Sequence, residues 1–339
     1  MKLSLSFRCS PALVSLALLA GSVAAPLAAH AQSYTLTNLG ILPGGTYSFG
    51  YGVNDSGQVA GQADTTGSQA HAFLSGPNGG SLTDLGTLGG TSSIGYGVND
   101  SGQVTGFATT ASNAAHAFLS GLNGGPLTDL GTLGGSGSIG FGVNSSGQVT
   151  GYSDTTGGHT HAFLSGSNGG PLADLGTLGG FDSSGTGVNN SGQVAGYAAT
   201  ASGDKHAFLS GANGGSLSDL GTLGGTFSYG LGVNNSGQVV GYSDTASGNS
   251  HAFLFSGSAL LDLNSLIAPG SGVTLTDAQK ISNTGFITGS GIDGNGQNFA
   301  FLLTPNAPVP EASTTVSLGL LLMLGIGRMV VVRRKHQAA

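Results

Sequence analysis

The sequence predicts an all-β protein folded as a six-bladed β-propeller, built from six repeats of about 45 residues. One observation is spacing: a histidine followed by Ala-Phe-Leu recurs every 45 residues. The histidines are His71, His116, His161, His206 and His251. A second observation is that each copy contains four short runs of β-favouring residues separated by tight-turn sequences. A four-stranded sheet of this length is the size of one propeller blade.

The copy that starts at His71 shows how one unit is organised. Its first run, His71–Gly76, turns through Asn-Gly-Gly and returns as Ser81–Gly86. A loop leads into Gly95–Asn99, and Asp-Ser-Gly then turns the chain into Gln103–Phe107. Glycine in these turns accepts the positive φ angles that tight hairpins require. Because no run has apolar residues at helical spacing, we predict four antiparallel strands per unit.

The repeats span Tyr34–Leu303, and the first and last copies are atypical. An Asp-Leu-Gly-type strand stands first, at Asn38–Gly44, while Phe299-Ala300-Phe301 replaces the last His-Ala-Phe. If the blade boundary falls between these two kinds of strand, pairing of the N-terminal strand with the C-terminal one would latch the ring. An open or helical β-solenoid is the alternative architecture.

Residues 1–31 are predicted to be a secretory signal peptide, followed by the repeat domain at 32–303. Lys2 and Arg8 form a basic start, residues 13–20 are apolar, and Ala29 and Ala31 are the small residues expected before a cleavage site. The only cysteine, Cys9, lies in this leader. The exported chain would therefore depend on packing rather than on disulfides.

Charge is sparse and acidic across the repeats. From Gln32 to Thr314, two lysines stand against fourteen Asp and one Glu, so the formal net charge is −13. Nucleic-acid binding requires a basic footprint, which this segment lacks. Glycine makes up 65 of 339 residues but shows no three-residue period, which excludes collagen.

The C-terminal segment predicts a membrane anchor. Residues 304–315 form a linker, 316–332 a transmembrane helix, and 333–339 a basic cytoplasmic tail. The helix is at the short limit for a bilayer span and is interrupted only by Arg328. The cluster Arg333, Arg334 and Lys335 predicts a cytoplasmic C-terminus and attachment to the inner membrane.

Two parts of the sequence resemble known families. Pro310 and Glu311, followed by an apolar helix and a basic tip, resemble the PEP-CTERM sorting signal, although Ala312 replaces its second proline. That resemblance implies processing by an exosortase-type enzyme and delivery to the cell surface or beyond, whereas a permanent anchor is the alternative. The recurring His-Ala-Phe-Leu, Asp-Leu-Gly-Thr-Leu-Gly-Gly and Val-Asn-x-Ser-Gly-Gln-Val runs resemble the HAF family of extracellular repeats.

We assign the repeated histidines a structural role, with a hydrogen bond inside each blade to the repeated aspartates. These partners are Asp84, Asp129, Asp174 and Asp219. Zinc would need three or four converging ligands, and calcium six to eight oxygens, so no metal or cofactor is predicted. The Asn-containing turns are interpreted as Asx turns. Candidate ligand-face aromatics are Tyr47, Tyr96, Phe181 and Tyr229, whose rings could stack on sugars.

The sequence therefore predicts an exported, non-catalytic repeat protein that binds extracellular polysaccharide or acts as a scaffold in the matrix. The repeats contain no Glu, no Gly-x-Ser-x-Gly elbow and no Gly-Lys-Ser/Thr phosphate loop. Pairs of aspartates could still serve a glycosidase. A secreted carbohydrate-active enzyme on a propeller is the alternative.

Overall fold

A computed structural model describes residues 35–305 of the chain. All the sheets lie in the unit that begins at Asn38. The predicted signal peptide, transmembrane helix and basic tail lie outside the described residues. Within residues 35–305, no helix is long and apolar enough to cross a bilayer.

The prediction of an all-β fold is confirmed: the strands form six antiparallel sheets, each ordered as in the sequence. The first sheet contains β1 (Ser48–Val53), β2 (Val59–Asp64), β3 (Ala70–Ser75) and β4 (Leu82–Gly86). The second contains β5 (Gly89–Val98), β6 (Val104–Thr110), β7 (Ala115–Gly121) and β8 (Gly125–Asp129). The third contains β9 (Gly134–Val143), β10 (Val149–Thr155), β11 (Thr160–Gly166) and β12 (Gly170–Asp174).

The remaining three sheets follow the same order. The fourth contains β13 (Gly179–Val188), β14 (Val194–Thr200), β15 (Lys205–Ser210) and β16 (Leu217–Asp219). The fifth contains β17 (Gly224–Val233), β18 (Val239–Thr245), β19 (Ser250–Phe255) and β20 (Leu260–Asp262). The sixth has three strands, β21 (Val273–Ile281), β22 (Ile287–Asp293) and β23 (Asn298–Leu303). Single 3-10 turns occur at Leu122–Gly124, Ala212–Gly214 and Leu263–Ser265.

The hairpin turns adopt the conformations that their residues favour. Asn78 has φ 52° and the following Gly79 has φ 76°. Asn123, Asn168 and Asn213 repeat this left-handed conformation one, two and three copies later. Asparagine and glycine tolerate positive φ better than other residues, so the turn positions are fixed by local chemistry.

The hydrophobic core lies between consecutive sheets, in interfaces that we call seams. At the first seam, Ala60, Leu74 and Leu85 of the first sheet pack against Val104 and Phe118 of the second. The central phenylalanine of every His-Ala-Phe run is fully buried: Phe73, Phe118, Phe163, Phe208 and Phe253. Each sheet thus buries a face that it could not bury alone, as expected for a repeat array.

A buried serine hydroxyl bridges each of the first four seams. Ser138 Oγ in β9 accepts a hydrogen bond from Ala117 N in β7, at 2.8 Å, and donates one to Gly131 O. Ser93, Ser183 and Ser228 make the same contacts at their own seams. The sheets are therefore joined by polar contacts as well as by apolar packing.

The seam between the last and first sheets, which we call the sixth seam, differs from the other five. Ser48 Oγ donates to Gly40 O, but within residues 35–305 it receives no hydrogen bond from Ala300 N, the donor expected from the repeat. Tyr51 and Val53 are 50% and 68% exposed. In β22, buried residues alternate with exposed ones, which leaves one face of the last sheet open to solvent.

The latch expected from the sequence is not formed. Residues 38–40 are not in a strand, and the last sheet keeps three strands. Instead, the N-terminal segment packs on the first sheet, where Leu42 is buried against Phe73. Asp64 fixes this segment because its carboxylate accepts hydrogen bonds from Thr46 N and Tyr47 N. The apolar contact and these hydrogen bonds hold the segment on the first sheet rather than beside β23.

Candidate functional site: the axial cavity

The first strands of all six sheets line one cavity of about 360 Å³, which we call the axial cavity. A second cavity of about 490 Å³ lies among the turns that follow these strands. Both cavities are bounded by one ring of aliphatic side chains. Its members are Val53, Val98, Val143, Val188, Val233 and Ile281.

Glycines allow the first strands to approach each other around the cavity. A Cβ atom on Gly52 would lie 2.8 Å from Tyr96 O, and one on Gly97 would lie 2.8 Å from Phe141 O. Real Cβ atoms do not approach a carbonyl oxygen so closely, and the missing side chain is what permits the contact. At Gly142 and Gly187 the nearest heavy atom would lie 3.4 and 3.5 Å away, so an approach as close as 2.8 Å is specific to Gly52 and Gly97 among these positions.

An arc of three aromatic rings forms one side of the axial cavity. The ring centroids of Tyr51 and Tyr96 are 5.7 Å apart, and those of Tyr96 and Phe141 are 5.5 Å apart, both in tilted geometry. Burial, and to a smaller degree the neighbouring Tyr51 and Tyr152, raise the pKa of Tyr96. Its phenol is thus protonated at neutral pH and can donate a hydrogen bond to a ligand.

Of the residues that the structure describes, Lys280 is the one charged residue that lines the axial cavity. The residue is accessible to solvent, but the surrounding strands desolvate its ammonium and lower its pKa. Within residues 35–305, every salt bridge joins a histidine to an aspartate, so no carboxylate pairs with Lys280.

The repeated histidines lie elsewhere, between the third and fourth strands of each sheet. His71 Nδ1 is 2.9 Å from Asp84 Oδ2, and His251 Nδ1 is 2.7 Å from Asp262 Oδ2. His116, His161 and His206 contact Asp129, Asp174 and Asp219 in the same way, at 2.9 Å. The partners of the first four histidines are the aspartates expected from the sequence. The partner of the fifth, His251, is Asp262. In the described part of the chain, no three His, Cys, Asp or Glu side chains are grouped to hold a metal ion.

The turn asparagines connect neighbouring first strands around the second cavity. Asn99 Oδ1 accepts hydrogen bonds from Ser101 N and Gln103 N, which is the Asx-type turn expected from the sequence. Its Nδ2 also donates to Asn144 O of the next sheet, at 2.9 Å. Sequence reasoning missed this second contact. The signal was present, because Asn and a Gln four residues later recur together in five copies.

The structure does not bring the four predicted aromatics together; among them, only Tyr96 lines the axial cavity. The Tyr47 ring packs on that of Phe49, with ring centroids 5.4 Å apart, and the Phe181 ring stacks on that of His159, with centroids 4.8 Å apart. The centroid of the Tyr229 ring lies 4.7 Å from that of Tyr197 and 4.9 Å from that of Tyr242. Tyr51 and Phe141 also belong to the aromatics that follow the Leu-Gly-Gly loop in the sequence, and their spacing of 45 residues from Tyr96 predicts that the three lie in equivalent positions.

The other predicted site residues lie outside the described residues. These are the sorting-signal residues Pro310 and Glu311, the cleavage-site residues Ala29 and Ala31, and the tail residues Arg333, Arg334 and Lys335. Their functions stay predictions.

The fold and the cavity define a class: an all-β repeat protein with six antiparallel sheets around an axial cavity. The chain matches no protein-family model and no curated protein. A candidate TolB from Agrobacterium tumefaciens is 13% identical, with a TM-score of 0.47 over 77% of this chain and 91% of that one. The TolB of Acinetobacter baumannii is also 13% identical, with a TM-score of 0.42 over 62% of this chain and 52% of that one. This chain therefore spans about half the length of that TolB.

A third similar structure is a variant of the Aleuria aurantia lectin in complex with Fucalpha1-6GlcNAc. It is 14% identical, with a TM-score of 0.36 over 75% of this chain and 90% of that one. All three TM-scores lie below 0.5, so these similarities do not establish a common fold or function.

Proposed function

We propose that this protein is an exported, non-catalytic glycan-binding module of the cell surface or extracellular matrix, with its six sheets arranged as the blades of a β-propeller. The observation that carries the proposal is the aromatic arc of Tyr51, Tyr96 and Phe141 in the axial cavity. Aromatic faces offer apolar area for the C–H surfaces of sugars, and the phenol groups supply hydrogen bonds. The cavity volume falls within the usual range for ligand pockets.

The repeated polar side chains support a binding role rather than catalysis, because they are engaged in contacts within the array. The histidines pair with aspartates, the asparagines with turns and neighbouring strands, and the buried serines with seam amides. The pKa of Asp64 is lowered mainly by the hydrogen bond from Tyr47 N. The pKa of Asp293 is lowered by the amides of Gln297 and Asn295. The general acid of a glycosidase is a carboxyl group with a raised pKa. Neither Asp64 nor Asp293 has this property, because the pKa of each is lowered.

Glycan retention tests the proposal. We expect the full-length chain, kept in mild detergent, to bind immobilised surface polysaccharide saturably and without hydrolysis. Tyr96→Ala should weaken binding about tenfold or more, because it removes the central ring of the arc. Phe181→Ala is the matched control, since Phe181 is exposed outside the cavity. Turnover of the glycan would favour the carbohydrate-active enzyme, and retention of no glycan would leave only a scaffold role.

Export and sorting are part of the same proposal and rest on the sequence. We propose that the leader is cleaved before Gln32, that the C-terminal helix holds the protein in the inner membrane, and that an exosortase-type enzyme then processes the tail. Intact-mass measurement of the surface protein should show loss of Arg333, Arg334 and Lys335. A surface protein that keeps this basic cluster would refute processing.

A further inference from the structure

One position around the axial cavity breaks the repeat. In five sheets a glycine of the first strand stands at the same register, as Gly97 does opposite Thr105. The glycines are Gly52, Gly97, Gly142, Gly187 and Gly232. In the sixth sheet Lys280 takes this position, opposite Thr288. A side chain that occurs once in six copies is the kind of asymmetry that a single ligand site requires.

The direction of the Cα–Cβ bond at this register indicates which neighbouring sheet the Lys280 side chain faces. A Cβ atom on Gly97 would point at Phe141 O of the following sheet, and one on Gly232 would lie 3.2 Å from Gln279 O. The shared register indicates that the Cβ atom of Lys280 is directed from the last sheet toward the first. Because it carries a Cβ atom, Lys280 cannot admit the close strand contact found at Gly97. Lys280 is among the residues that line the axial cavity.

The charge in the axial cavity is opposite to that of the rest of the molecule. Residues 32–314 carry a formal net charge of −13, yet among residues 35–305 no aspartate or glutamate lines this cavity. Asp55 and Asp100 line the second cavity, beyond the aliphatic ring. Lys280 is therefore the basic group of a cavity whose other described lining residues are aliphatic, aromatic, glycine or threonine. A carboxylate entering the cavity would favour the protonated form of this amine and pair with it.

We propose that the axial cavity binds a carboxylate-bearing sugar unit of an acidic polysaccharide, with Lys280 pairing with the carboxylate while Tyr51, Tyr96 and Phe141 contact the sugar ring. This inference rests on the proposed glycan-binding function and names its ligand class. The cation supplies the preference for acidic over neutral units, and the aromatic arc supplies contact area common to both.

Binding of oligogalacturonate and of its methyl ester tests the inference, because the two differ in the carboxylate alone. We expect the full-length chain in detergent to bind the acid at least about tenfold more tightly than the ester, the scale of a charge-assisted hydrogen bond. Lys280→Gln should remove this preference by weakening acid binding to the level of ester binding. Lys280→Arg should keep it, and added salt should weaken acid binding.

Lys205→Gln is the matched control, since Lys205 is the other lysine of the repeats and lies over the Tyr197 ring, outside the axial cavity. Equal affinity for acid and ester, or an unchanged preference in Lys280→Gln, would overturn the inference. If neutral glycans are still bound and Tyr96→Ala still weakens their binding, the proposed function stands without it. If no glycan binds, both fail.

Discussion

At the scale of single residues, the seams depend on small polar side chains with two partners. Ser138 is 1% exposed, and its hydroxyl is both the acceptor for Ala117 N and a donor to Gly131 O. The hydroxyl, which belongs to the third sheet, satisfies one backbone group of the second sheet and one of the loop between the two sheets. A buried backbone N–H or C=O group that loses its hydrogen-bond partner lowers the free energy of unfolding.

Ser138→Ala should therefore lower the free energy of unfolding by about 1–3 kcal/mol, because it leaves the Ala117 amide buried without an acceptor. Chemical denaturation followed by circular dichroism measures this change. Ser145→Ala is the control, since Ser145 is exposed in a turn and contributes only its backbone N–H to Asn190 Oδ1. A loss of similar size in both variants would contradict the seam role of Ser138.

Residue patterns predicted much of the repeat but not its asymmetric site. The 45-residue period and the turn chemistry gave the strands, the hairpins and the histidine–aspartate pairs. The last copy contains three extra residues, since Asn234 Nδ2 contacts Ser282 O at a separation of 48 rather than 45. Its turn sequence, Ile281–Ile287, still aligns Lys280 with the glycines, and the strand register agrees. The sequence alone does not show that these positions line one cavity.

At the scale of elements, the N-terminal segment shows how local contacts override a sequence pattern. In sequence, residues 38–44 resemble the fourth strand that the last sheet lacks. In the structure, Leu42 packs on the first sheet, and Asp64 accepts hydrogen bonds from Thr46 N and Tyr47 N. Asp64 is 4% exposed, and its carboxylate accepts hydrogen bonds from this segment. The hydrogen bonds from Tyr47 and Thr46 lower its pKa.

This lowered pKa predicts a pH dependence. Because the folded-state pKa of Asp64 lies below the unfolded value of about 3.9, its carboxylate stabilises the protein above that pH. The contribution is lost as the pH falls through the folded-state pKa. Asp64→Asn should therefore lower the melting temperature at pH 7, and the difference from the unaltered protein should shrink below about pH 4.

Asp55→Asn is the control for this experiment. It removes the same charge from an exposed turn, where the Asp55 carboxylate accepts no hydrogen bond from the described residues. A difference between Asp64→Asn and the unaltered protein that stays constant from pH 7 to pH 3 would show that the charge of Asp64 does not hold the segment.

At the scale of the whole molecule, the array has five packed seams and one open one. The middle sheets are covered on both faces, as in β14, whereas β22 alternates between buried and exposed residues. In repeat arrays, the free energy of unfolding is roughly a sum of contributions from each repeat and from each interface between neighbours. Sheets that pack against one neighbour therefore unfold locally more readily than sheets that pack against two.

Amide hydrogen exchange should detect this difference. We expect faster exchange in β1, β22 and β23 than in β9, β10 and β14, because the sixth seam leaves the terminal sheets partly unpacked. Equal protection of all six sheets would indicate a ring closed with six equivalent seams, and would contradict the open sixth seam described above.

The most direct measurement is a crystal structure of the protein with an oligogalacturonide bound. We predict one sugar unit in the axial cavity, its carboxylate within hydrogen-bonding distance of Lys280 Nζ and its ring against Tyr96. An oligosaccharide bound only to the outer surfaces, with the axial cavity empty, would contradict the account.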